Sequence, residues 1–343
     1  MNLNLSEKGL DAMLVSKPEN IRYLTGYTGD TGLLVLTGEE RYLLTDFRYV
    51  EQARQTAKGC HVVTVSGSGM AEAQELCSGQ VGFEGDYLRW NQGEMLKKAF
   101  PDAMNVSGWI EEVRAIKTPD ELEIIKKASA LAQDAFWKTL EIIHPGMTER
   151  EVAAELEYRM KRLGADKTSF ATITVAGKNT SLVHGEPGDN PLQSGDFLLM
   201  DFGCVYQGYC SDMTRTVGIG RISEKQQEIY QIVKRAQQTA LEGIQPGMGC
   251  ADADALARDV IAKAGYGAQF GHSLGHGVGL EIHEQPNLSP KSKMILRPGM
   301  AVTVEPGIYL EGEFGVRIED LIAITEDGYE NLCKDSPKEL LCI

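Results

Sequence analysis

The chain has 343 residues, enough for one large or two ordinary domains, and with 42% hydrophobic and 24% charged residues it has the composition of a folded protein rather than a disordered one. Its 34 basic residues against 49 acidic ones leave a net charge of −15, which excludes nucleic acid as the main partner, because that binding needs a basic face. No stretch approaches the ~18 apolar residues of a membrane span, no basic-then-apolar leader opens the chain, and the seven cysteines form no CxxC pair, so a reduced, cytoplasmic protein with no membrane partner is expected.

Residues 1 to about 115 read as a small α/β unit. Leu10–Ser16 and Leu33–Leu36 are apolar and strand-like, with turn chemistry at Gly29–Gly32 between them. Tyr42–Thr45 follows Gly38-Glu39-Glu40 closely, which predicts a hairpin. Phe47–Ala57 reads as a helix, Val62–Val65 and Val81–Phe83 as strands, and Glu94–Phe100 as a further helix. No catalytic cluster stands out here, and the lone His61 reads as structural.

A boundary falls near Arg114–Pro119, giving domains 1–115 and 116–343. Thr118 can cap a helix, Pro119 suits its first position, and Glu121 closes a capping box, so a long helix is predicted through about Ile143. Beyond it the chain repeats. His144-Pro145-Gly146-Met147 matches Gln245-Pro246-Gly247-Met248, and each precedes a helical stretch that ends on a glycine, Gly164 or Gly265, at the same interval. Ser194-Gly195 through Asp201-Phe202-Gly203 likewise aligns with Pro298-Gly299 through Glu305-Pro306-Gly307. Matching offsets predict an α+β domain of two half-domains related by a pseudo-two-fold axis.

Each half runs an apolar strand, Leu198-Leu199-Met200 or Val302-Thr303-Val304, directly into an acid, Asp201 or Glu305. A buried carboxylate must be paired, protonated or metal-bound. A hairpin turning between Tyr206 and Gln207 makes Asp212 the cross-strand partner of Asp201, and Glu305 and Glu319 flank Gly312 in the same way. Two facing pairs of like charge repel unless cations sit between them. Of the six histidines, His272, His276 and His283 crowd a glycine-rich stretch, and His184 sits in a similar His-Gly-Glu-Pro setting. Imidazole is a common metal ligand and proton carrier, and the glycines let backbone bend or approach closely. A dinuclear site is therefore expected, with Asp201, Asp212, His276, Glu305 and Glu319 as ligands. Mostly oxygen donors suit Mn²⁺, with Co²⁺, Zn²⁺ or Fe²⁺ also admissible. Arg317 shares a strand face with Glu319, so it is either a partner to a ligand carboxylate such as Asp201 or an ordinary surface arginine.

The ordered set Met200-Asp201-Phe202-Gly203, Ser211-Asp212-Met213-Thr214-Arg215-Thr216, Gly271-His272-Ser273-Leu274-Gly275-His276-Gly277-Val278-Gly279, Ile282-His283-Glu284, Val304-Glu305-Pro306-Gly307 and Val316-Arg317-Ile318-Glu319-Asp320 resembles the pita-bread metallopeptidases, which include methionine aminopeptidase, Xaa-Pro aminopeptidase, prolidase and creatinase. Pro18-Glu19-Asn20-Ile21-Arg22-Tyr23-Leu24-Thr25-Gly26 with Leu44-Thr45-Asp46-Phe47-Arg48-Tyr49 resembles the N-terminal domain of the prolidase and Xaa-Pro aminopeptidase branch. The resemblance implies a pita-bread catalytic domain behind a creatinase/prolidase-like N-terminal domain. It implies Asp201, Asp212, His276, Glu305 and Glu319 as ligands of two divalent metals, with Asp212 and Glu319 bridging. It implies Glu305 as the acid that handles the proton of water. It gives His184 and His283 contact with substrate and the tetrahedral intermediate, His272 a place in the pocket, and Arg317 a pairing with the site. Creatinase lacks this ligand set, so its chemistry is not expected.

The function implied is an exopeptidase acting on small peptides with proline second. His276-Gly277-Val278-Gly279-Leu280 leans toward an Xaa-Pro aminopeptidase, with an Xaa-Pro dipeptidase (prolidase) as the alternative. A non-catalytic peptide-binding module on the same fold is a remote third reading, since all five ligand positions are kept. A homodimer is expected by resemblance.

Overall fold

A computed structural model describes residues 3–38 and 40–343. The chain divides into two compact units, Met1–Arg114 and Ala115–Ile343. No helix among the described residues is long and apolar enough to cross a membrane.

The first unit is a mixed sheet flanked by helices. Its strands are β1 (Ala12–Val15), β2 (Leu33–Thr37), β3 (Arg41–Thr45), β4 (His61–Thr64), β5 (Val81–Phe83) and β6 (Met104–Asn105), in the order β4-β3-β2-β1-β5-β6. The helices are α1 (Pro18–Thr25), α2 (Val50–Thr56), α3 (Met70–Leu76), α4 (Trp90–Ala99) and α5 (Trp109–Arg114). β1 is buried throughout, with Met13 and Val15 in one apolar core and Ala12 and Leu14 in another, so the sheet is covered on both faces. The expected hairpin joins β2 and β3 antiparallel, with Leu36 opposite Arg41; Glu39 of its turn lies outside the described residues. α2 starts later than the sequence pattern suggests, because Asp46 Oδ1 accepts from Arg48 N at 2.9 Å and holds a turn first. α4 starts earlier, because Gln92 reaches back to the Arg89 amide at 2.9 Å. His61 stacks on Tyr42 and pairs with Glu40 at 2.9 Å in solvent, a structural position.

The second unit opens with α6 (Pro119–Leu140) and α7 (Glu149–Leu163). Both begin with capping boxes, Thr118 with Glu121 and Thr148 with Glu151. Short strands β7 (Lys167–Thr168) and β8 (Ile173–Ala176) precede β9 (Phe197–Phe202), β10 (Cys204–Tyr206), β11 (Tyr209–Cys210) and β12 (Met213–Gly218). The second half repeats the plan with α8 (Glu224–Gly243) and α9 (Cys250–Lys263). Its strands are β13 (Gly275–Gly277), β14 (Glu284–Leu288), β15 (Ala301–Val304), β16 (Gly307–Leu310), β17 (Phe314–Arg317), β18 (Asp320–Ile324) and β19 (Tyr329–Asn331). β12-β9-β8 form one sheet, and β14-β13-β15-β18-β19 the sheet of the other half.

Strand alternation places the acids. Leu198 and Met200 enter the core under α6 and α7, and Val302 and Val304 enter the core under α8 and α9. Asp201 and Glu305 are odd-numbered neighbours of these residues and project from the opposite face, away from the helices.

One register differs from the sequence reading. Asp201 lies opposite Thr214, not Asp212, and the hairpin turns between Gln207 and Gly208 rather than between Tyr206 and Gln207. The cause is local: Gln207 and Gly208 both have positive φ, 48° and 89°, the pair of left-handed residues that a tight two-residue hairpin turn requires. The shift moves the partner by two residues, so Asp212 stays on the face of Asp201, diagonal to it. The second hairpin turns about Gly312 as expected, with Gly307 opposite Arg317 and Leu310 opposite Phe314. Val304 pairs with Asp320 in the continuing ladder, so Glu305 and Glu319 fall between the two pairs.

Candidate metal centre

The strand faces just described converge on a cluster of acids. Asp212 leads into β12, Glu319 links β17 to β18, and both side chains are buried. His276 lies on β13 between β14 and β15, where the backbones pass very close. A Cβ at Gly275 would sit 1.9 Å from the Thr303 carbonyl oxygen, and one at Gly277 2.2 Å from that of Gln285, so His276 is flanked by the only residue type that fits. Asp212, His276 and Glu319 each offer a donor atom within 4.8 Å of the others. His276 Nε2 is 3.6 Å from Asp212 Oδ2 and 3.5 Å from Glu305 Oε1.

The proton placement around His276 decides what this cluster can hold. His276 Nδ1 bonds the Gly277 carbonyl oxygen at 3.1 Å, and a carbonyl only accepts, so the ring proton is on Nδ1. Burial lowers the imidazole's basicity to a pKa of about 4, leaving it neutral. Its Nε2 therefore aims a lone pair at carboxylate oxygens. Burial first, and the neighbouring acids next, push Asp212 and Glu319 well above the usual carboxylate range. Burial likewise raises Glu305 to about 8, against the opposing pull of Arg317. Asp201 Oδ1 and Asp212 Oδ1 are buried with no hydrogen-bond partner among the described residues. Crowded acids, two unsatisfied carboxylate oxygens and a facing imidazole lone pair fit a divalent cation, which would satisfy all three at once.

Neighbouring hydroxyls and Arg317 hold the acids in place. Arg317, itself buried, donates from Nη2 to Asp201 Oδ2 at 2.5 Å and from Nε to Thr214 Oγ1 at 3.1 Å. Thr214 donates onward to Glu319 Oε2 at 2.7 Å. In the other half Thr303 donates to Glu305 Oε1 at 3.2 Å and accepts from the His276 amide at 3.0 Å. Of the two readings of Arg317 left open by spacing, the surface arginine is ruled out.

His283 lies against this cluster, and His272 and the His184 turn are linked to it through Arg317. The His283 ring stands edge-on to that of His276, centroids 4.5 Å apart. His272 Nε2 meets the Tyr309 hydroxyl at 3.0 Å, and that hydroxyl accepts from Arg317 Nη1 at 2.8 Å. His272 is neutral, its pKa lowered to about 4 by burial and then by Arg317, with His184 a smaller contributor. His184 is exposed in a turn whose preceding residue, Val183, offers its carbonyl to Arg317 Nη1 at 3.5 Å.

Four contributors escaped the sequence reading. Thr214 and Thr303 lie two residues from Asp212 and Glu305 on the same strand faces, so strict alternation was the available signal. Tyr309 carried no local signal; its hydroxyl occupies the space a Cβ at Gly307 would need, 2.5 Å away. Lys117 carried none either. Its Nζ meets Glu284 Oε2 at 3.0 Å in a buried ion pair, and Glu284 Oε1 accepts from the Glu281 amide at 3.1 Å, gripping the loop that carries His283.

Comparison with known proteins gives two family matches. Residues 123–326 match metallopeptidase family M24, and residues 3–116 match the creatinase/prolidase N-terminal domain. The uncharacterized peptidase YqhT of Bacillus subtilis is 44% identical over 98% of this chain and 96% of its own. The structure of an Xaa-Pro dipeptidase from Bacillus anthracis is 43% identical, covers 99% of this chain and 97% of that one, and superposes with a TM-score of 0.94. An X-Pro aminopeptidase from Thermotoga maritima is 36% identical, covers 98% of this chain and 99% of that one, with a TM-score of 0.89.

Proposed function

This chain belongs to metallopeptidase family M24, and on that premise we propose that it is a dinuclear exopeptidase that hydrolyses the bond between a first residue and a following proline. The observation that carries this reading is the cluster of Asp212, His276 and Glu319 with the unsatisfied oxygens of Asp201 and Asp212 beside it. Asp201, Asp212, His276, Glu305 and Glu319 would hold two divalent ions, Mn²⁺ by the preponderance of oxygen donors. When bound, such ions polarise the scissile carbonyl and lower the pKa of water.

The chain's own residues supply the rest. Glu305 accepts a proton from the attacking water and delivers it to the prolyl nitrogen, which has no N–H of its own and leaves only when protonated. His283 and His184 donate hydrogen bonds to the oxygen on which charge develops. Neutral His272, bonded through Tyr309 to Arg317, lines the slot for the proline ring. Arg317, donating from Nη2 to Asp201 Oδ2, keeps that carboxylate oriented.

Between the two substrate readings we favour Xaa-Pro dipeptides, because the B. anthracis protein of 43% identity carries that activity in its name. The aminopeptidase reading, to which the glycine-rich motif leans, is supported by the T. maritima protein. Assaying an Xaa-Pro dipeptide beside an Xaa-Pro-Xaa tripeptide separates them: cleavage of the dipeptide alone supports the first, and faster cleavage of the tripeptide overturns it. His184→Ala should lower the rate while leaving the metals bound; loss of metal would show its role to be misassigned. The same reading includes a cytoplasmic homodimer, in keeping with seven cysteines all free of disulfides. A monomer by light scattering would refute the oligomeric part.

A further inference from the structure

One buried acid in the second unit lies outside the metal cluster and is fully bonded. Glu149, the first residue of α7, is closed to solvent. Its Oε1 accepts from the Ala176 amide at 2.8 Å, Asn179 Nδ2 at 3.0 Å and Asn190 Nδ2 at 3.0 Å, and its Oε2 from the Gly188 amide at 3.0 Å. The backbone adds Glu149 N to the Asn190 carbonyl at 3.1 Å and Arg150 N to the Gly188 carbonyl at 3.0 Å. These partners lie at both ends of residues 176–190, and His184 stands at the exposed crest between them. Leu182, two residues before it, points outward at 56% exposure, so apolar packing of that side chain does not hold the crest. Hydrogen bonds to the Glu149 side chain, at the N-terminus of α7, hold the two ends of the loop. The crest itself is tied by the Val183 carbonyl to Arg317 Nη1 at 3.5 Å and by the Gly185 amide to the Leu182 carbonyl at 3.1 Å.

The second half has a counterpart. On α9, Asp254 accepts from the Leu274 amide at 2.9 Å and pairs with Arg258 at 2.6 Å. Arg258 donates to the carbonyls of Phe270 at 2.9 Å and His272 at 2.7 Å. In each half, the second helix sends a buried carboxylate to the loop that carries a pocket histidine.

We propose that Glu149 is a positioning residue for His184, orienting that histidine toward the substrate by bracing both ends of its loop. The inference rests on the reading that His184 contacts substrate. Glu149→Gln keeps the shape of the side chain but turns one acceptor into a donor that faces donors. It should lower kcat on an Xaa-Pro dipeptide by about tenfold to a hundredfold, the worth of a charged hydrogen bond, with KM and metal content held. In a His184→Ala background the same change should cost nothing further, because both act through one group; an equal loss in both backgrounds overturns the proposal.

A second readout needs no activity. In the zinc-loaded protein, His184→Ala identifies the His184 ring signal by NMR, and Glu149→Gln should move that signal while leaving that of His61 in place. An unmoved His184 signal overturns the inference. A wild-type protein inert on every Xaa-Pro peptide sinks the peptidase reading and leaves the ring signal to decide this one. Should Glu149→Gln fail to fold, Asn179→Ala and Asn190→Ala each remove one donor from the loop side. They should shift the His184 signal in the same way, and no shift in either overturns the proposal.

Discussion

Buried Arg317 and half-buried Asp201 meet as an ion pair, Nη2 to Oδ2 at 2.5 Å, and the other oxygen of Asp201 is left with no hydrogen-bond partner among the described residues. The arginine thus fixes one edge of the carboxylate and turns the other toward the acid cluster. It links the halves as well, since Asp201 belongs to β9 and Arg317 to β17.

Removing that arginine should therefore act through the metals. Arg317→Ala is expected to weaken metal affinity or activity by roughly tenfold to a hundredfold, as is typical when a ligand's orienting partner is lost. Titrating Mn²⁺ into wild type and variant while following activity checks it. An unchanged midpoint and an unchanged rate would remove Arg317 from the account.

Lys117 and Glu284 form a different kind of pair, almost fully buried and distant in sequence. Lys117→Met deprives a buried carboxylate of its cation, at a cost of about 3–5 kcal/mol. Denaturant unfolding should show this loss, with partial recovery in Lys117→Met/Glu284→Leu, where the buried charge is gone too. A fully stable single variant would show that the pair contributes little.

The acids also set a pH dependence. Glu305 rises from an ordinary 4.5 to about 8 in the metal-free protein, and Asp212 and Glu319 rise with it, burial being the main cause in each. Groups raised in the folded state favour folding below their unfolded pKa, and that benefit is lost as pH climbs through the folded value. Thermal stability of chelator-treated protein should thus fall between about pH 5 and about pH 9. Metal loading should release protons and stabilise the protein more at the upper end of that range. A chelated protein that gains stability across the same range would show that these groups are not raised.

Parts of this arrangement were readable from residue order, because their causes are local. The Thr118–Glu121 box announces α6 within four residues, and the Pro-Gly-Met repeats mark the entry to α7 and α9. Alternation along Leu198–Asp201 and Val302–Glu305 shows which side chains turn away from the helices. The Asp201 register was not readable in the same way. It turns on Gln207 adopting a left-handed conformation, which side chains rarely take and which a motif of tyrosines and glycine leaves undetermined. Tyr309 and Lys117 were invisible for another reason. Their partners His272 and Glu284 are far away in the chain, and no periodicity links them before the fold is known.

Metal stoichiometry tests the central claim most directly. Elemental analysis of protein reconstituted with Mn²⁺ and freed of excess should find two ions per chain in the wild type. In His276→Ala, stripped of the imidazole that faces Asp212 and Glu305, it should find fewer, together with lost Xaa-Pro cleavage. Wild-type protein that takes up no divalent metal, or a His276→Ala variant that retains full metal and full rate, would contradict it.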